Sequence, residues 1–284
     1  MISGRALHSG VPSDVRITPR PDDGLGIRFL FPGFAGPLDA RALSTLKRTA
    51  RRATLLEDPE TGATIRTPEH MLAAALFFAR APLDVACDAS EPPGLDGSAR
   101  PWFTALAAAA PAEYAVPPRE YDVAKGFRYD GPEGSLLAEP AEHFSVEYTV
   151  ERGEFRQAFR LESGGAAAAE ILPARTFIFW KEWRALSLEF SGLLRGAGAE
   201  SGLLLAETPE EFADARALLP ELSGQAFPLL SPETPRYPEE AARHKVLDLL
   251  GDLALNGLAL PRLRLTLRNG GHALNHLLLN HLQA

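Results

Sequence analysis

Cysteine is almost absent from this chain of 284 residues, which contains a single one, Cys87. A single cysteine excludes an internal disulfide and agrees with a reducing compartment. Cys87 lies in LDVACDA, a pattern typical of a buried strand, so we expect it to have a packing role. The N-terminal stretch MISGRALHSG lacks the basic region and apolar run of a signal peptide. These absences predict a cytoplasmic protein.

Several motifs and segments are missing as well. The longest apolar stretch, residues 71–79, is shorter than the roughly 20 residues that cross a bilayer as a helix, so we expect no membrane span. The sequence has no GxGxxG, no GxxxxGKS or GxxxxGKT and no GxSxG, which removes the usual support for dinucleotide-binding, nucleoside-triphosphatase and serine-hydrolase functions. A net charge of −8 argues against a nucleic-acid partner.

The composition that is present, 45% apolar and 23% charged residues, is typical of a soluble protein with a sizeable core. A helix is predicted from about Thr67, because Pro68 suits a first helical turn and Glu69 favours the positive end of the helix dipole. Three prolines in residues 111–119 separate two differently patterned halves. We therefore predict an N-terminal α+β domain over residues 1–115 and a C-terminal α+β domain over residues 116–284.

The two halves repeat one order of elements. In the first half, the predicted helix that opens with TPEHM is followed by the strand LDVACDA and a loop. In the second half, the helix containing RHKVLDLLGD (243–252) is followed by the strand LRLTLR and a loop that ends at His272. This repetition indicates two copies of one α+β unit whose polar helix faces meet.

The run RHKVLDLLGD carries polar residues at regular steps. His244, Asp248 and Asp252 are four residues apart in turn, which keeps them on or near one face of a helix. His244 and Asp248 can reach the same small cation, and His70 would supply a third ligand. Two imidazoles, one carboxylate and an open position form a catalytic zinc site that keeps a water. A histidine and an aspartate one turn apart also occur as a structural ion pair, and the spacing leaves both interpretations open.

Other titratable residues accompany these ligands. Glu69 precedes one of them and would lie beside the metal without binding it, as a general base does, although an acidic residue is also common at a helix N-terminus. His272 follows two glycines, which permit a close approach of the backbone to a cleft. Asp252 is placed to accept a hydrogen bond from that imidazole and to keep it protonated. His276 and His281, on the polar side of the last predicted helix, are expected at the surface.

Six segments occur in one order across nearly the whole chain. They are ALHSG (6–10), TPEHMLAAAL (67–76), LDGSARPWF (95–103), ARTF (174–177), RHKVLDLLGDL (243–253) and GGHALNHLL (270–278). Together they resemble the zinc-dependent UDP-3-O-acyl-N-acetylglucosamine deacetylases of lipid A biosynthesis. The resemblance implies an α+β fold of two similar domains, each a β-sheet with packed helices, with the helices sandwiched between the sheets.

The resemblance also implies a metal and a substrate. His70, His244 and Asp248 match the zinc ligands of the family, and ferrous iron takes similar ligands. The implied reaction is the hydrolysis of a linear amide, the N-acetyl group of UDP-3-O-acyl-N-acetylglucosamine, with release of acetate. The implied partner is therefore a small acylated UDP-sugar.

Five further residues match catalytic positions of the family. Glu69 matches the base that activates the attacking water, and His272 matches the acid that protonates the leaving amine. Asp252 matches the partner of that histidine, Thr176 matches a hydroxyl that holds the oxyanion, and Lys245 matches a residue near the substrate.

Two segments, 149–159 and 195–202, depart from the family pattern. They keep two alternatives open: a zinc amidase that acts on a different acylated amino sugar, and a non-catalytic member that binds a nucleotide sugar. The apolar residues of FIFWKEWRALSLEFSGLL (177–194) suit either a passage for an acyl chain or ordinary core.

A monomer is the expected oligomeric state.

Overall fold

The structure is a computed structural model of the chain. It describes residues 1–20, 26–42, 44–45, 52–78, 82–109, 118–132, 134–163, 167–188, 194–197, 201–219 and 226–283. Among the helices of these ranges, none combines the length and the apolar character needed to cross a membrane. The predicted domain boundary at residues 115–116 lies outside these ranges, and the division into two domains at that point stays a prediction.

The described residues form seventeen strands and seven α-helices. In chain order the strands are β1 (Ile2–Arg5), β2 (Pro12–Pro19), β3 (Ile27–Leu30), β4 (Leu38–Asp39), β5 (Ser44–Thr45), β6 (Leu55–Glu57), β7 (Thr64–Arg66), β8 (Leu83–Cys87), β9 (Arg119–Tyr121), β10 (Phe127–Gly131), β11 (Gly134–Pro140), β12 (Ser145–Arg152), β13 (Phe155–Glu162), β14 (Phe177–Phe179), β15 (Leu203–Leu205), β16 (Ala259–Pro261) and β17 (Leu263–Arg268). The α-helices are α1 (Glu69–Phe78), α2 (Arg100–Ala109), α3 (Ala167–Ile171), α4 (Trp180–Leu188), α5 (Pro209–Leu218), α6 (Glu240–Leu253) and α7 (His272–Gln283).

Two five-stranded sheets have the same topology. The first has the spatial order β1-β2-β8-β3-β4 and the second the order β10-β11-β17-β12-β13. In each sheet the central strand pairs in parallel with one neighbour and antiparallel with the other, as β8 does with β3 and β2, and β17 with β12 and β11. In each half a long helix precedes the central strand and another follows it. The prediction of an α+β fold with two similar sheet-and-helix halves is confirmed.

Strand β17 shows why these segments form half-buried sheets. Its apolar residues Leu263, Leu265 and Leu267 are buried, while the alternate residues are exposed. Side chains of a strand alternate between the two faces of the sheet, so an alternating sequence buries one face and leaves the other in water. The apolar face of each sheet therefore needs a layer of helices.

Helices α1 and α6 lie in the core that both sheets share. All ten residues of α1 are buried, as expected for a helix that is apolar on every side. Helix α6 packs against α1, α7, β12 and β13. One continuous apolar cluster joins Val85 of the first sheet, Leu265 of the second sheet, Leu72 of α1 and Leu250 of α6.

The two central helices touch at a glycine. A Cβ atom at Gly251 of α6 would lie 2.1 Å from the carbonyl oxygen of Glu69 and 2.8 Å from its carbonyl carbon. Only a residue without a Cβ atom allows the backbone of α1 to come this close. This contact brings the first turn of α1 against the last turn of α6.

We predict that Gly251→Ala lowers the free energy of unfolding by about 1–3 kcal/mol, the usual cost of forcing extra atoms into a packed core. This loss of stability should occur although alanine favours the helical conformation more than glycine does. Urea unfolding measures it. Gly36→Ala is the control, because a Cβ atom there would meet nothing within 4 Å. An unchanged stability of Gly251→Ala would show that the helices do not depend on this close contact.

Candidate active site

The site lies where three helices meet. Glu69 and His70 open α1, and His272 opens α7. A cavity of about 320 Å³ lies at this junction. Of the residues predicted from the sequence, Glu69, His70, Thr176, Lys245, Asp248 and His272 line it. His244 and Asp252 are buried behind this lining on α6.

His70, His244 and Asp248 form a buried cluster with the geometry of a metal site. Each offers one ligand atom, and these atoms lie within 4.8 Å of one another. Nε2 of His244 is 3.2 Å from Oδ1 of Asp248, and Nε2 of His70 is 3.6 Å from the same oxygen. The ring centroids of the two histidines are 4.9 Å apart. The i, i+4 spacing in α6 and the contact with α1 together produce this cluster.

The hydrogen bonds of these side chains leave room for a cation between them. Nδ1 of His244 is 3.0 Å from the carbonyl oxygen of Ala174, which only accepts, so this nitrogen carries a proton. The other ring nitrogen, Nε2, is the one that can offer a lone pair to a metal, and it faces Oδ1 of Asp248, a buried oxygen without a hydrogen-bond partner. Two facing acceptors are stable when a cation lies between them. Burial lowers the pKa of His70 and favours its neutral, metal-binding form.

Asp248 remains ionised although it is buried. Burial alone would raise its pKa, but the interactions with His244, Lys245 and His272 together outweigh this and hold the pKa well below its usual value. Nζ of Lys245 donates to Oδ2 of Asp248 over 2.8 Å. One oxygen of the carboxylate is thus held by the lysine, and the other faces the two histidines.

Glu69 and His272 face each other across the cavity. Oε1 of Glu69 is 3.5 Å from Nε2 of His272. Burial raises the pKa of Glu69 to about 8, whereas the charge of His272 lowers it. Burial would lower the pKa of His272, but Asp252, Glu69 and Asp248 raise it to about 9. Because several negative charges surround His272, the proton of this pair belongs to the imidazole, and a protonated His272 is not available as a metal ligand.

Asp252 holds His272 from behind. Its Oδ2 accepts from Nδ1 of His272 over 2.9 Å and from Nδ2 of Asn275 over 2.8 Å. Its Oδ1 accepts a short hydrogen bond from the hydroxyl of Thr54. Burial alone would raise the pKa of Asp252, but the charge and hydrogen-bond interactions with His272 and His276 together outweigh it and lower the pKa, so the carboxylate is ionised.

Three residues of this network, Thr54, Asn275 and His276, were not predicted from the sequence. His276, expected at the surface, is fully buried, and its Nε2 is 3.5 Å from Oδ1 of Asp252. That expectation was wrong because the polar side of α7 faces a carboxylate of α6 and not solvent. The one-turn spacing of His276 from His272 was an available signal. Thr54 had none, since it is 198 residues from Asp252 in the chain. His281 is partly buried.

Thr176 is held at the edge of the cavity by the backbone and by its neighbour. Its N–H donates to the carbonyl of Gly97, and its own carbonyl accepts from Leu203, each over 2.8 Å. Nε of the adjacent Arg175 donates to Glu240 at the start of α6 over 2.9 Å. This buried ion pair fixes the Thr176 segment to the helix that carries the metal cluster.

Aromatic side chains form one wall of the cavity. Phe177 and Phe179 line it, whereas Trp180 packs into a separate apolar cluster with Phe212. Nζ of Lys245 lies 5.6 Å from the ring centroid of Phe177. The segment 177–194, which suited either an acyl passage or ordinary core, thus contributes its first residues to the cavity, and residues 189–193 of that segment lie outside the described part.

Comparison with known proteins identifies the family. The family model for UDP-3-O-acyl N-acetylglycosamine deacetylase matches residues 1–214 and 224–284. A UDP-3-O-acyl-N-acetylglucosamine deacetylase of Anaeromyxobacter dehalogenans is 32% identical over 289 residues, covering 97% of this chain and 82% of the relative. The enzyme of the same name from Myxococcus xanthus is 31% identical, with coverages of 97% and 81%, and that from Wolinella succinogenes is 29% identical, with 98% and 85%.

These matches extend over both sheets and over each helix that contributes to the buried cluster. The six segments that suggested the resemblance lie at or next to the cavity or in the helices around it. The chain therefore belongs to the UDP-3-O-acyl N-acetylglycosamine deacetylase family.

Proposed function

We propose that this protein is a metal-dependent amidohydrolase that removes the N-acetyl group of UDP-3-O-acyl-N-acetylglucosamine, an early committed step of lipid A biosynthesis. The products are acetate and the UDP-3-O-acyl-glucosamine. The observation that carries the proposal is the buried cluster of His70, His244 and Asp248 with Glu69 beside it, in a chain of this family. We also propose that the protein acts in the cytoplasm, which agrees with its single, buried cysteine. A monomer stays a prediction.

The metal would be held by Nε2 of His70, Nε2 of His244 and Oδ1 of Asp248. When bound, zinc supplies Lewis acidity, which polarises a carbonyl group and lowers the pKa of a water molecule. Two imidazole nitrogens and one carboxylate oxygen suit zinc better than magnesium or calcium, which prefer oxygen ligands. Ferrous iron accepts the same three ligands, and metal analysis distinguishes it from zinc.

Glu69 acts as the general base. Its carboxylate accepts a proton from the water that attacks the acetamide carbon. Burial makes this carboxylate a stronger base than an exposed glutamate, because desolvation raises its pKa, and a positive ion at the cluster moderates the rise. The position at the start of α1, one residue before His70, keeps it next to the ligands without making it one.

His272 acts as the general acid. Asp252 binds Nδ1–H, so the protonated ring presents Nε2–H to the cavity. After water has added to the carbonyl carbon, Nε2–H gives its proton to the sugar nitrogen and the C–N bond breaks. Acetate and a free amine result, and one water is consumed. The hydroxyl of Thr176 donates to the oxyanion, and Lys245 contacts the substrate from the cavity wall.

We expect purified protein to contain one zinc ion per chain and to release acetate from UDP-3-O-acyl-N-acetylglucosamine. A chelator should abolish acetate release, and added zinc should restore it. Metal analysis by mass spectrometry and an acetate assay measure the two quantities. Absence of a bound metal, or acetate release that a chelator leaves unchanged, would contradict the proposed mechanism. Bound zinc without acetate release would favour a zinc amidase for a different acylated amino sugar or a non-catalytic member that binds a nucleotide sugar, in line with the departures at 149–159 and 195–202.

Two variants separate metal binding from proton transfer. Asp248→Ala should lose the metal, because one of three protein ligands is removed. Glu69→Gln should keep the metal and lose roughly 10²–10⁴-fold in kcat, the usual contribution of general acid–base catalysis. Metal content and kcat are measured for both.

Exposed residues of the same types provide matched controls for these variants. The side chains of Asp130 and Glu162 are 63% and 69% exposed, so Asp130→Ala and Glu162→Gln should retain metal and activity. A fully active Glu69→Gln would refute the assignment of the base, and a metal-loaded Asp248→Ala would refute the assignment of the ligand.

A further inference from the structure

Thr54 is a buried residue that touches both sides of the proposed proton-transfer system. It immediately precedes β6, and none of its surface is exposed. Its hydroxyl makes the short hydrogen bond to Oδ1 of Asp252 and lies 3.0 Å from Nδ1 of His272. Its backbone N–H donates to Oε2 of Glu69 over 3.3 Å. One residue thus contacts the base, the acid and the carboxylate behind the acid.

The direction of the hydroxyl proton follows from its partners. The ionised carboxylate of Asp252 only accepts, so the hydroxyl of Thr54 donates to it. The oxygen of Thr54 is then free to accept from Nδ1–H of His272, and it also lies 3.4 Å from Nε2 of His276. That N–H group is therefore shared between Oδ2 of Asp252 at 2.9 Å and Oγ1 of Thr54 at 3.0 Å. Two acceptors on one side of the ring fix its rotation more tightly than one acceptor does.

Thr54 is itself held in place by the segment that leads into α1. Its carbonyl oxygen accepts from the N–H of Thr67 over 2.9 Å, two residues before Glu69. The position of Thr54 is therefore tied to the start of α1, and its hydroxyl reaches across to α6 and α7. Removal of this hydroxyl would therefore remove contacts to His272 and Asp252, whereas the hydrogen bond from the backbone N–H to Glu69 would remain.

We propose that Thr54 is a positioning residue that aligns His272 with Glu69 through its hydroxyl. Without the hydroxyl, Oδ1 of Asp252 would face only Nε2 of His276, at 3.5 Å. The carboxylate would then rotate towards His276 and turn Oδ2 away from His272. The imidazole would lose both the acceptor at Thr54 and the alignment of its acceptor at Asp252. The inference depends on the proposed function, because it concerns the acid and base of that reaction.

The test compares Thr54→Val, which keeps the shape and removes the hydroxyl, with Thr54→Ser, which keeps the hydroxyl. Thr54→Val should lose roughly 10- to 100-fold in kcat, less than the full contribution of an acid or base, because the groups remain but are misaligned. Its KM and its zinc content should stay close to those of the wild type, and Thr54→Ser should recover most of the kcat. A hydrogen-bonded Nδ1 proton of His272 should be visible by NMR in the wild type and in Thr54→Ser, and be lost by exchange in Thr54→Val.

Ser13→Ala is the control for the loss of a buried hydroxyl outside the site, since Oγ of Ser13 contacts Sγ of Cys87 at 3.2 Å. It should lower stability without lowering kcat. If Thr54→Val does not fold, Thr54→Cys keeps the volume with a weaker donor and should have an intermediate kcat. A wild-type kcat in Thr54→Val or Thr54→Cys, or a Thr54→Ser variant as slow as Thr54→Val, overturns the inference. A wild-type protein that releases no acetate contradicts the proposed function instead, and the NMR comparison still tests the alignment by Thr54.

Discussion

The contact between α1 and α6 at Glu69 and Gly251 is the constraint on which the site depends. Helix α1 belongs to the first half of the chain and α6 to the second, and the ligand atoms come from both. A separation of the helices by even the width of a methyl group would move His70 away from His244 and Asp248. The same glycine that allows close packing of the core thus determines whether a metal can be bound.

The electrostatics of the junction follow from burial. Ionised groups removed from water are costly unless they are paired. Asp252 meets this requirement with hydrogen bonds to both oxygens, from Thr54 on one side and from His272 and Asn275 on the other. In Asp248 only one oxygen is paired, by the hydrogen bond from Lys245. The other oxygen faces two histidines without a hydrogen bond. Both oxygens of Asp252, which holds the acid His272, are therefore paired within the protein. One oxygen of Asp248 is left for a cation at the ligand cluster.

Much of the fold and part of the site could be predicted from local patterns. The alternation of LRLTLR predicted β17, and the four-residue steps of RHKVLDLLGD placed His244 and Asp248 together on α6. These two predictions depend only on the periodicity of residues within one strand or one helix, which can be read directly from the sequence. Periodicity does not record contacts between elements, so Thr54 carried no signal of its role. His276 was assigned to solvent because a histidine on a polar helix face has no visible partner until α6 is packed against α7.

In the proposed function, one metal ion is held jointly by α1 and α6. X-ray absorption at the zinc edge measures this coordination, because imidazole ligands are resolved by their nitrogen distances of about 2.0–2.1 Å. We expect two imidazoles and oxygen ligands in the wild type, and a single imidazole in any zinc that His70→Ala or His244→Ala retains. A wild-type spectrum with one imidazole, or with a sulfur ligand at about 2.3 Å, would contradict it.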